Sequence, residues 1–105
     1  MSNQLAATFF VLRKPRQGKG AVFMTVTQEG SVVWLDIHGE TAESARRQIT
    51  HWLSKAPKSV REVRVVHGYH GGTVLQDMVR RELKHPRIAT KMIALNPGET
   101  RVILK

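Results

Sequence analysis

The hydrophobic pattern of this chain changes twice from a strand period to a helix period and back, and this alternation restricts the fold more than any other feature. Residues 32–38 and 60–68 have the pattern of strands, and residues 41–57 between them repeat apolar positions at helical spacing. A second helical pattern starts at Thr73 and leads to a strand over residues 88–95. Strand–helix–strand crossovers join parallel strands. The sequence therefore predicts a parallel core of three strands, near residues 32–38, 63–67 and 88–94.

Two hairpins are predicted to complete the sheet. A strand over residues 21–27 turns back at QEGS, and NPGE joins the strand at residues 88–95 to a last strand at residues 100–105. The element order is ββαβαββ, so the predicted fold class is α/β: a two-layer sandwich with a mixed sheet, a parallel core and two helices. Residues 21–105 are predicted to form one domain. Residues 1–20 are predicted to be a flexible basic N-terminal arm, because RKPRQGKG is basic and contains Gly and Pro.

Both helices have an apolar face and recognisable ends. In the first, Thr41 is the predicted N-cap and Pro57 marks the end. Its buried positions are predicted to be Ala45, Ile49 and either Trp52 or Leu53, while Arg46, Arg47, Gln48 and His51 face away. The second helix has an apolar face made of Val74, Leu75, Met78, Val79 and Leu83. The rings of Trp34 and Trp52 are interpreted as packing groups and not as base-stacking groups.

The charge points to a polyanionic partner. The 105 residues contain 17 Lys and Arg against 8 Asp and Glu, which gives a net charge of +9, and small domains this basic commonly bind nucleic acid. There is no cysteine, which excludes disulfides and cysteine-based zinc sites. No apolar run approaches the roughly 20 residues of a membrane span, and the first residues lack the order of a secretory signal. We expect a cytoplasmic monomer that does not bind membranes.

Polar side chains and glycines follow two predicted neighbouring strands. LDIHG ends one strand with Asp36 and His38, and VVHG ends the other with His67. Ligands of open α/β sheets gather beyond the carboxyl ends of the strands, so the two histidines are expected at one edge. Gly68, Gly71 and Gly72 then lead into the second helix, where backbone N–H groups favour an anion. A phosphate, two imidazoles and a carboxylate are a workable set for phosphodiester cleavage.

Each of these features also has a purely structural explanation. His-Gly at a strand end and a glycine-rich turn both occur in proteins that bind nothing there, and Asp36 is placed to cap the first helix. A metal site made of Asp36, His38, His67 and His70 is the other alternative, although no recognised zinc spacing is present. No built-in cofactor or metal is therefore predicted.

The residues resemble those of the Smr (small MutS-related) domain family, in its short stand-alone bacterial form. The resemblance covers residues 33–105 and is carried by LDIHGET, AESA, VRVVHGYHGGTVLQDMVRRELKHPRI and NPGETRVILK. It implies a fold similar to the C-terminal domain of bacterial translation initiation factor three. It also implies an endonuclease that nicks DNA or cuts messenger RNA on ribosomes. Two departures from the family pattern are His70 at a glycine position and Gln76 at an arginine position.

The resemblance carries residue by residue to Asp36 and His38 as the pair implicated in cutting, and to His67, Gly68 and Gly72 as the glycine-rich loop. The residue pattern and the charge supply the remaining assignments. Asp36, His38 and His67 are the predicted catalytic residues, and Gly68, Gly71, Gly72 and Arg80 are predicted to bind phosphate. Predicted nucleic-acid contacts are Arg46, Arg47, Arg81, Arg13, Lys14, Arg16 and Lys19.

Two functions follow from these assignments as predictions. The first is RNA cleavage by the substrate's own 2′-hydroxyl, in which one of His38 and His67 accepts a proton and the other donates one, giving a bell-shaped pH profile without a metal. A DNA nickase would instead use water, with Mg²⁺ drawn from solution. The second function is a non-catalytic basic module that docks on a ribosome or on structured nucleic acid.

Overall fold

The computed structural model describes residues 24–68 and 72–105. Its elements are β1 (Thr25–Glu29), β2 (Val32–Asp36), α1 (Ala42–Lys55), β3 (Glu62–Val66), α2, β4 (Ile88–Ile93) and β5 (Glu99–Leu104). Helix α2 begins with an α-helical turn, Val74–Asp77, and continues as a π-helix over Met78–Glu82. The predicted order ββαβαββ and the α/β class are confirmed. The predicted arm at residues 1–20 and the start of the first strand at residues 21–23 lie outside the described residues, so the domain boundary stays a prediction.

The five strands form one mixed sheet in the order β1-β2-β3-β5-β4. Strands β2 and β3 are parallel, whereas β1–β2, β3–β5 and β5–β4 are antiparallel. The prediction of three adjacent parallel strands is therefore wrong in one respect: β4 runs in the direction of β3, but β5 lies between them.

The burial of the last two strands explains this order. Strand β5 alternates half-buried and buried residues, with Thr100, Val102 and Leu104 on the buried side, whereas β4 exposes most of its residues. A strand with one continuously buried side loses the most if it is left at an edge, whereas β4, most of whose residues stay exposed, loses less there. The hairpin therefore inserts β5 beside β3 and leaves β4 outside.

Both helices cover one face of the sheet. The core between the layers consists of the inward residues of the strands and the apolar stripes of the helices: Met24, Val26, Val33, Leu35, Ile37, Ala45, Ile49, Leu53, Val60, Val63, Val65, Met78, Val79, Leu83, Val102 and Leu104. Trp34, Asp36, Arg64 and Arg101 alternate with buried residues and therefore lie on the opposite face of the sheet. No described helix covers that face. Among the described residues, neither helix is long and apolar enough to cross a membrane.

Helix α1 starts and ends as the sequence predicts. The Thr41 side chain accepts a hydrogen bond from the Ser44 N–H at 3.1 Å, which is an N-cap bond. The third buried position is Leu53, and Trp52 is partly buried against the core. Gln48, predicted to face away, instead accepts a hydrogen bond from the Met24 N–H at 3.0 Å and so ties the start of β1 to the helix.

Helix α2 departs from its predicted apolar face. Met78, Val79 and Leu83 are buried, but Val74 is 67% exposed and Leu75 is only partly buried. The Leu83 N–H donates to the Met78 carbonyl five residues earlier, at 2.8 Å, which is the π-helical spacing. With this wider winding Met78, Val79 and Leu83 face the sheet, while the first turn of the helix lies at the surface.

Candidate active site

The pairing of β2 with β3 brings the two predicted histidines to one edge of the sheet. Asp36 is opposite Val66 in the register, and the Ile37 N–H continues the pairing by donating to the Val66 carbonyl at 2.9 Å. The segments that follow β2 and β3 then leave the sheet side by side, so that a Cβ placed on Gly68 would lie 3.7 Å from the Cβ of His38. The predicted meeting of the LDIHG and VVHG segments is present in the structure.

A groove of about 630 Å³ opens at this edge. Its lining comes from the loop after β2, the start of α1, the end of β3 and the start of α2: His38, Gly39, Glu40, Thr41, Ala42, Val66, His67, Gly68, Gly72, Val74 and Leu75. Its volume is in the range of small-molecule sites. It is large enough to hold one unit of a polymer beside the histidines.

Asp36 holds the His38 ring in one orientation. Its Oδ1 accepts a hydrogen bond from the His38 backbone N–H at 3.1 Å and another from the ring Nδ1 at 2.6 Å. The Nδ1 hydrogen is therefore committed to Asp36, and Nε2 is the ring atom left for a ligand. The hydrogen bond to Asp36, and next its negative charge, raise the pKa of His38 above the ordinary value of a histidine. The His38 side chain is 72% exposed, so this group can exchange protons with a substrate.

His67 has the opposite environment. It is 4% exposed, and its Nδ1–H donates to the Gly68 carbonyl at 2.8 Å. The Thr100 hydroxyl lies 2.9 Å from Nε2 and donates to it in the neutral ring, because a carbonyl can only accept and so fixes the hydrogen on Nδ1. Burial, the largest cause, lowers the pKa of His67 below its ordinary value, although the bond to Gly68 opposes this. The ring is therefore neutral at pH 7.

The hairpin between β4 and β5 clamps the His67–Gly68 segment. The Gly98 carbonyl accepts hydrogen bonds from the N–H groups of both residues, at 2.9 and 3.0 Å. The Gly98 N–H in turn donates to the Asn96 side chain at 2.8 Å, which shapes the turn. The NPGE segment therefore positions the second histidine.

The glycine-rich loop is described only in part. Gly68 and Gly72 have positive φ values of 77° and 98°, a conformation that strains residues with a Cβ. Gly71, a predicted phosphate-binding residue, and His70 lie outside the described residues. Gly68 and Gly72 both line the groove, so phosphate binding by this loop stays a prediction that their position supports.

Arg80 contacts the Thr100 side chain and does not line the groove. Its Nε donates to the Thr100 hydroxyl at 2.8 Å, the same hydroxyl that contacts His67. The resulting chain runs from Arg80 through Thr100 and His67 to the Gly68 carbonyl. Contact between Arg80 and a phosphate stays a prediction. The sequence signal for Thr100 is a polar residue at an inward position of the alternating strand TRVILK.

Glu40 anchors the loop that carries His38. Its Oε1 accepts hydrogen bonds from the Ser44 hydroxyl and the Gln48 side-chain amide, both at 2.9 Å. Both donors lie on the first two turns of α1. The position of His38 is thus fixed relative to the helix as well as the sheet.

The predicted nucleic-acid contacts fall in two groups. Arg46 and Arg47 on α1 and Arg81 on α2 are exposed on the helical layer. Arg13, Lys14, Arg16 and Lys19 lie outside the described residues. Within residues 24–68 and 72–105, no group of three or more His, Asp or Glu side chains is placed to hold a metal ion.

Comparison with known proteins identifies one family. The model of the family described as "Smr domain" matches residues 35–100, which include the Asp36–His38 pair, the glycine-rich loop and the Gly98 turn. No curated protein and no solved structure matches the chain.

The two histidines are expected to titrate on opposite sides of the ordinary histidine pKa. Replacement of Asp36 should change the pKa of His38 and leave that of His67 unchanged. In Asp36→Asn the charge is lost while an acceptor oxygen remains, so the pKa of His38 falls toward its ordinary value. The measurement is an NMR pH titration of the ring resonances in the wild type and the variant. His67 is the internal control, and its midpoint stays below the ordinary value in both proteins. An unchanged His38 midpoint in Asp36→Asn would contradict the role given to the carboxylate.

Proposed function

The chain belongs to the Smr domain family, a nucleic-acid-binding and nuclease-associated family, and from this premise we propose that it is an endonuclease that cleaves RNA at the Asp36–His38 edge of the groove. The observation that carries the proposal is the hydrogen bond from His38 Nδ1 to Asp36, which leaves an exposed Nε2 beside the groove. An oriented imidazole at the surface is suited to proton transfer with a bound substrate.

Proton transfer in this proposal uses the different environments of the two histidines. The substrate's 2′-hydroxyl oxygen attacks the phosphorus, the bond from phosphorus to the 5′ oxygen breaks, and that oxygen takes up a proton. His38, whose pKa is raised, holds the proton that the leaving oxygen needs. His67, whose pKa is lowered, is neutral and accepts the proton of the 2′-hydroxyl. Groups whose environments push their pKa values apart are suited to such a division.

Proton acceptance by His67 has a structural requirement. Its Nε2 already contacts the Thr100 hydroxyl, so the substrate must take the place of that hydroxyl when it binds. Arg80 then still holds Thr100 through its Nε. If the Thr100 contact persists, His67 is only a positioning residue for the Gly68 loop. The acid side of the pH profile distinguishes these two roles.

The basic residues near the groove provide the electrostatic attraction for the proposed nucleic-acid partner. Arg46 and Arg47 lie within the first two turns of α1, whose first residue, Ala42, lines the groove. The chain before Met24 also joins the domain at this edge, because Thr25 pairs with Asp36. We therefore include the basic segment Arg13–Lys19 among the proposed phosphate contacts.

Four finer assignments stay proposals. RNA is preferred to DNA because the scheme uses the 2′-hydroxyl, and a DNA nickase would need water and Mg²⁺ instead. A ribosome as the platform that presents the RNA, a cytoplasmic location and a monomeric state remain predictions from the sequence. The alternative function is a binding module that docks on a ribosome or structured nucleic acid without cutting it.

Replacement of His38 by Ala should remove cleavage and preserve binding. Loss of a general acid–base group lowers rates by roughly 10²- to 10⁴-fold, while affinity should change by no more than about twofold, since phosphate contacts supply most of it. The measurement is cleavage of matched end-labelled RNA and DNA, with EDTA and with Mg²⁺.

His51→Ala is the matched control, because His51 is an exposed histidine on α1 that does not line the groove. RNA cleavage that survives EDTA in the wild type and His51→Ala, but not in His38→Ala, supports the proposal. Cleavage of DNA alone, only with Mg²⁺, would identify a nickase. Equal background from all three proteins on every substrate would favour the binding module.

The rate of RNA cleavage should follow a bell-shaped pH profile. On the alkaline side the rate falls as His38 loses its proton, at a pH above the ordinary histidine value because its pKa is raised. On the acid side it falls as His67 gains a proton, below the ordinary value because its pKa is lowered. Asp36→Asn should move the alkaline limb to lower pH and leave the acid limb in place. A profile without an acid limb would assign His67 a positioning role only, and a rate independent of pH between about 5 and 8 would overturn the scheme.

The double variant Arg46→Ala/Arg47→Ala should weaken binding in a salt-dependent manner. For single-stranded nucleic acid, each lost phosphate contact reduces the slope of log affinity against log salt by about 0.7, so two contacts reduce it by about 1.4. Fluorescence anisotropy over a series of salt concentrations measures the slope.

Lys58→Ala/Arg61→Ala is the control, because these exposed residues precede β3 at the end of the sheet away from His67. The same loss in the control, with none in the α1 variant, would place the binding surface elsewhere.

A further inference from the structure

Trp34 is a large aromatic residue that the core does not use. It alternates along β2 with the buried residues Val33 and Leu35, so its side chain lies on the face of the sheet opposite to the helices. It is only partly buried, and the apolar cluster that Trp52 packs against does not include it. The interpretation of Trp52 as a packing group is thus confirmed, whereas Trp34 needs another explanation.

The described cross-strand neighbours of Trp34 are a guanidinium on one side and a small side chain on the other. Arg64 is its partner on β3, and the guanidinium lies over the ring, 5.9 Å from the centroid. Thr27 is its partner on β1 and is small and exposed. A guanidinium on one side and a short side chain on the other form a place where a flat π system can stack.

The ring is aligned with the candidate active site. Trp34 and Asp36 are two residues apart on the same face of β2, about 7 Å along the strand, and Asp36 contacts the His38 ring directly. A nucleic-acid strand that follows β2 would therefore cross the Trp34 ring and reach His38 within a few nucleotides. The stacking position and the proposed cleavage position belong to one continuous surface.

Charge restricts the path of such a strand. On the β3 and β5 side of Trp34, the carboxylates of Glu62 and Glu99 balance the guanidinium groups of Arg64 and Arg101. Glu62 accepts from both arginines, at 2.9 and 2.7 Å, and Glu99 lies 4.0 Å from Arg64. Phosphates gain nothing from this neutralised cluster. On the β1 side the direct cross-strand partner of the ring is the uncharged Thr27, with Glu29 two residues further along, so a nucleic-acid strand approaches the indole over Thr27 with its base turned toward the ring.

We propose that Trp34, backed by Arg64, is a nucleobase-stacking subsite for single-stranded RNA, and that it positions the strand whose scissile phosphate lies at His38. The proposal rests on the proposed function for the identity of the ligand. It requires an unpaired base, because bases in a duplex are already stacked and cannot reach the ring. The subsite contributes affinity and placement and does not take part in proton transfer.

The test begins with binding of a fluorescently labelled single-stranded RNA to Trp34→Ala and Trp34→Phe, each in a His38→Ala background that prevents cutting. Stacking of one base predicts affinity about tenfold weaker in Trp34→Ala and a clearly smaller loss in Trp34→Phe. Trp52→Phe is the matched control and should bind as the parent does.

Trp52→Phe also leaves Trp34 as the only tryptophan, whose emission should be quenched by single-stranded RNA. Equal affinity of the His38→Ala parent and its three tryptophan variants would overturn the subsite. A Trp34 emission that neither RNA nor a small quencher changes would also overturn it, because another part of the chain would then cover the ring.

An abasic scan then locates the stacked base. Removal of one base at a time around the cleavage site should weaken binding to the parent at one position, and the same removal should have no further effect in Trp34→Ala. Coupling at a single position near the scissile phosphate supports the subsite, and additive effects at every position overturn it.

The two proposals fail in different ways. Cleavage by the wild type without Trp34 coupling rejects the subsite alone. Coupling without any cleavage by the wild type rejects the nuclease alone, and leaves Trp34 as the binding element of a non-catalytic module.

Discussion

The parallel hydrogen bonding of β2 with β3, with Asp36 opposite Val66, is the interaction on which the rest of the site depends. A shift of this register by one residue would exchange the two faces of a strand. Trp34 and Asp36 would enter the core, and Val33 and Leu35 would lie on the open face. The cost of burying a carboxylate and exposing two apolar side chains fixes the register. The same hydrophobic pattern that forms the core therefore also determines where the functional side chains lie.

The second half of the chain completes this edge through contacts that are distant in sequence. Because β5 is inserted beside β3, the Gly98 carbonyl and the Thr100 hydroxyl both reach the His67–Gly68 segment. If β4 had been the parallel neighbour of β3, as the crossover pattern predicts, these contacts would be absent. The antiparallel insertion thus buries His67 and places the Thr100 hydroxyl against its Nε2, while the neighbouring Gly68 carbonyl fixes the tautomer. The NPGE turn is part of the site even though none of its residues lines the groove.

Local patterns predicted the parts of this molecule that depend on neighbours in sequence. The type of each element and the Thr41 cap depend on residues within a few positions of each other. The strand order, the π-helical winding at Met78 and the Thr100 contact depend on how separate segments compete for burial, which a single sequence does not show. Trp34 is an instructive case. It was predicted to be a packing group, but it alternates with the buried Val33 and Leu35 and therefore lies on the face that no described helix covers.

The two histidines show how one fold gives the same side chain two different properties. A surface carboxylate favours the charged form of His38, whereas burial disfavours the charged form of His67. These effects are independent, because one comes from a residue on the same strand and the other from packing between strands. In the proposed scheme a substrate in the groove would change them unequally, because it would remove water from around the exposed His38 but would have to compete with Thr100 for Nε2 of His67. A ligand that engages His67 in this scheme must displace the Thr100 hydroxyl from Nε2, although Arg80 donates to the same hydroxyl. If the Thr100 contact persists, His67 only positions the Gly68 segment, and the exposed His38 is the histidine that meets the ligand.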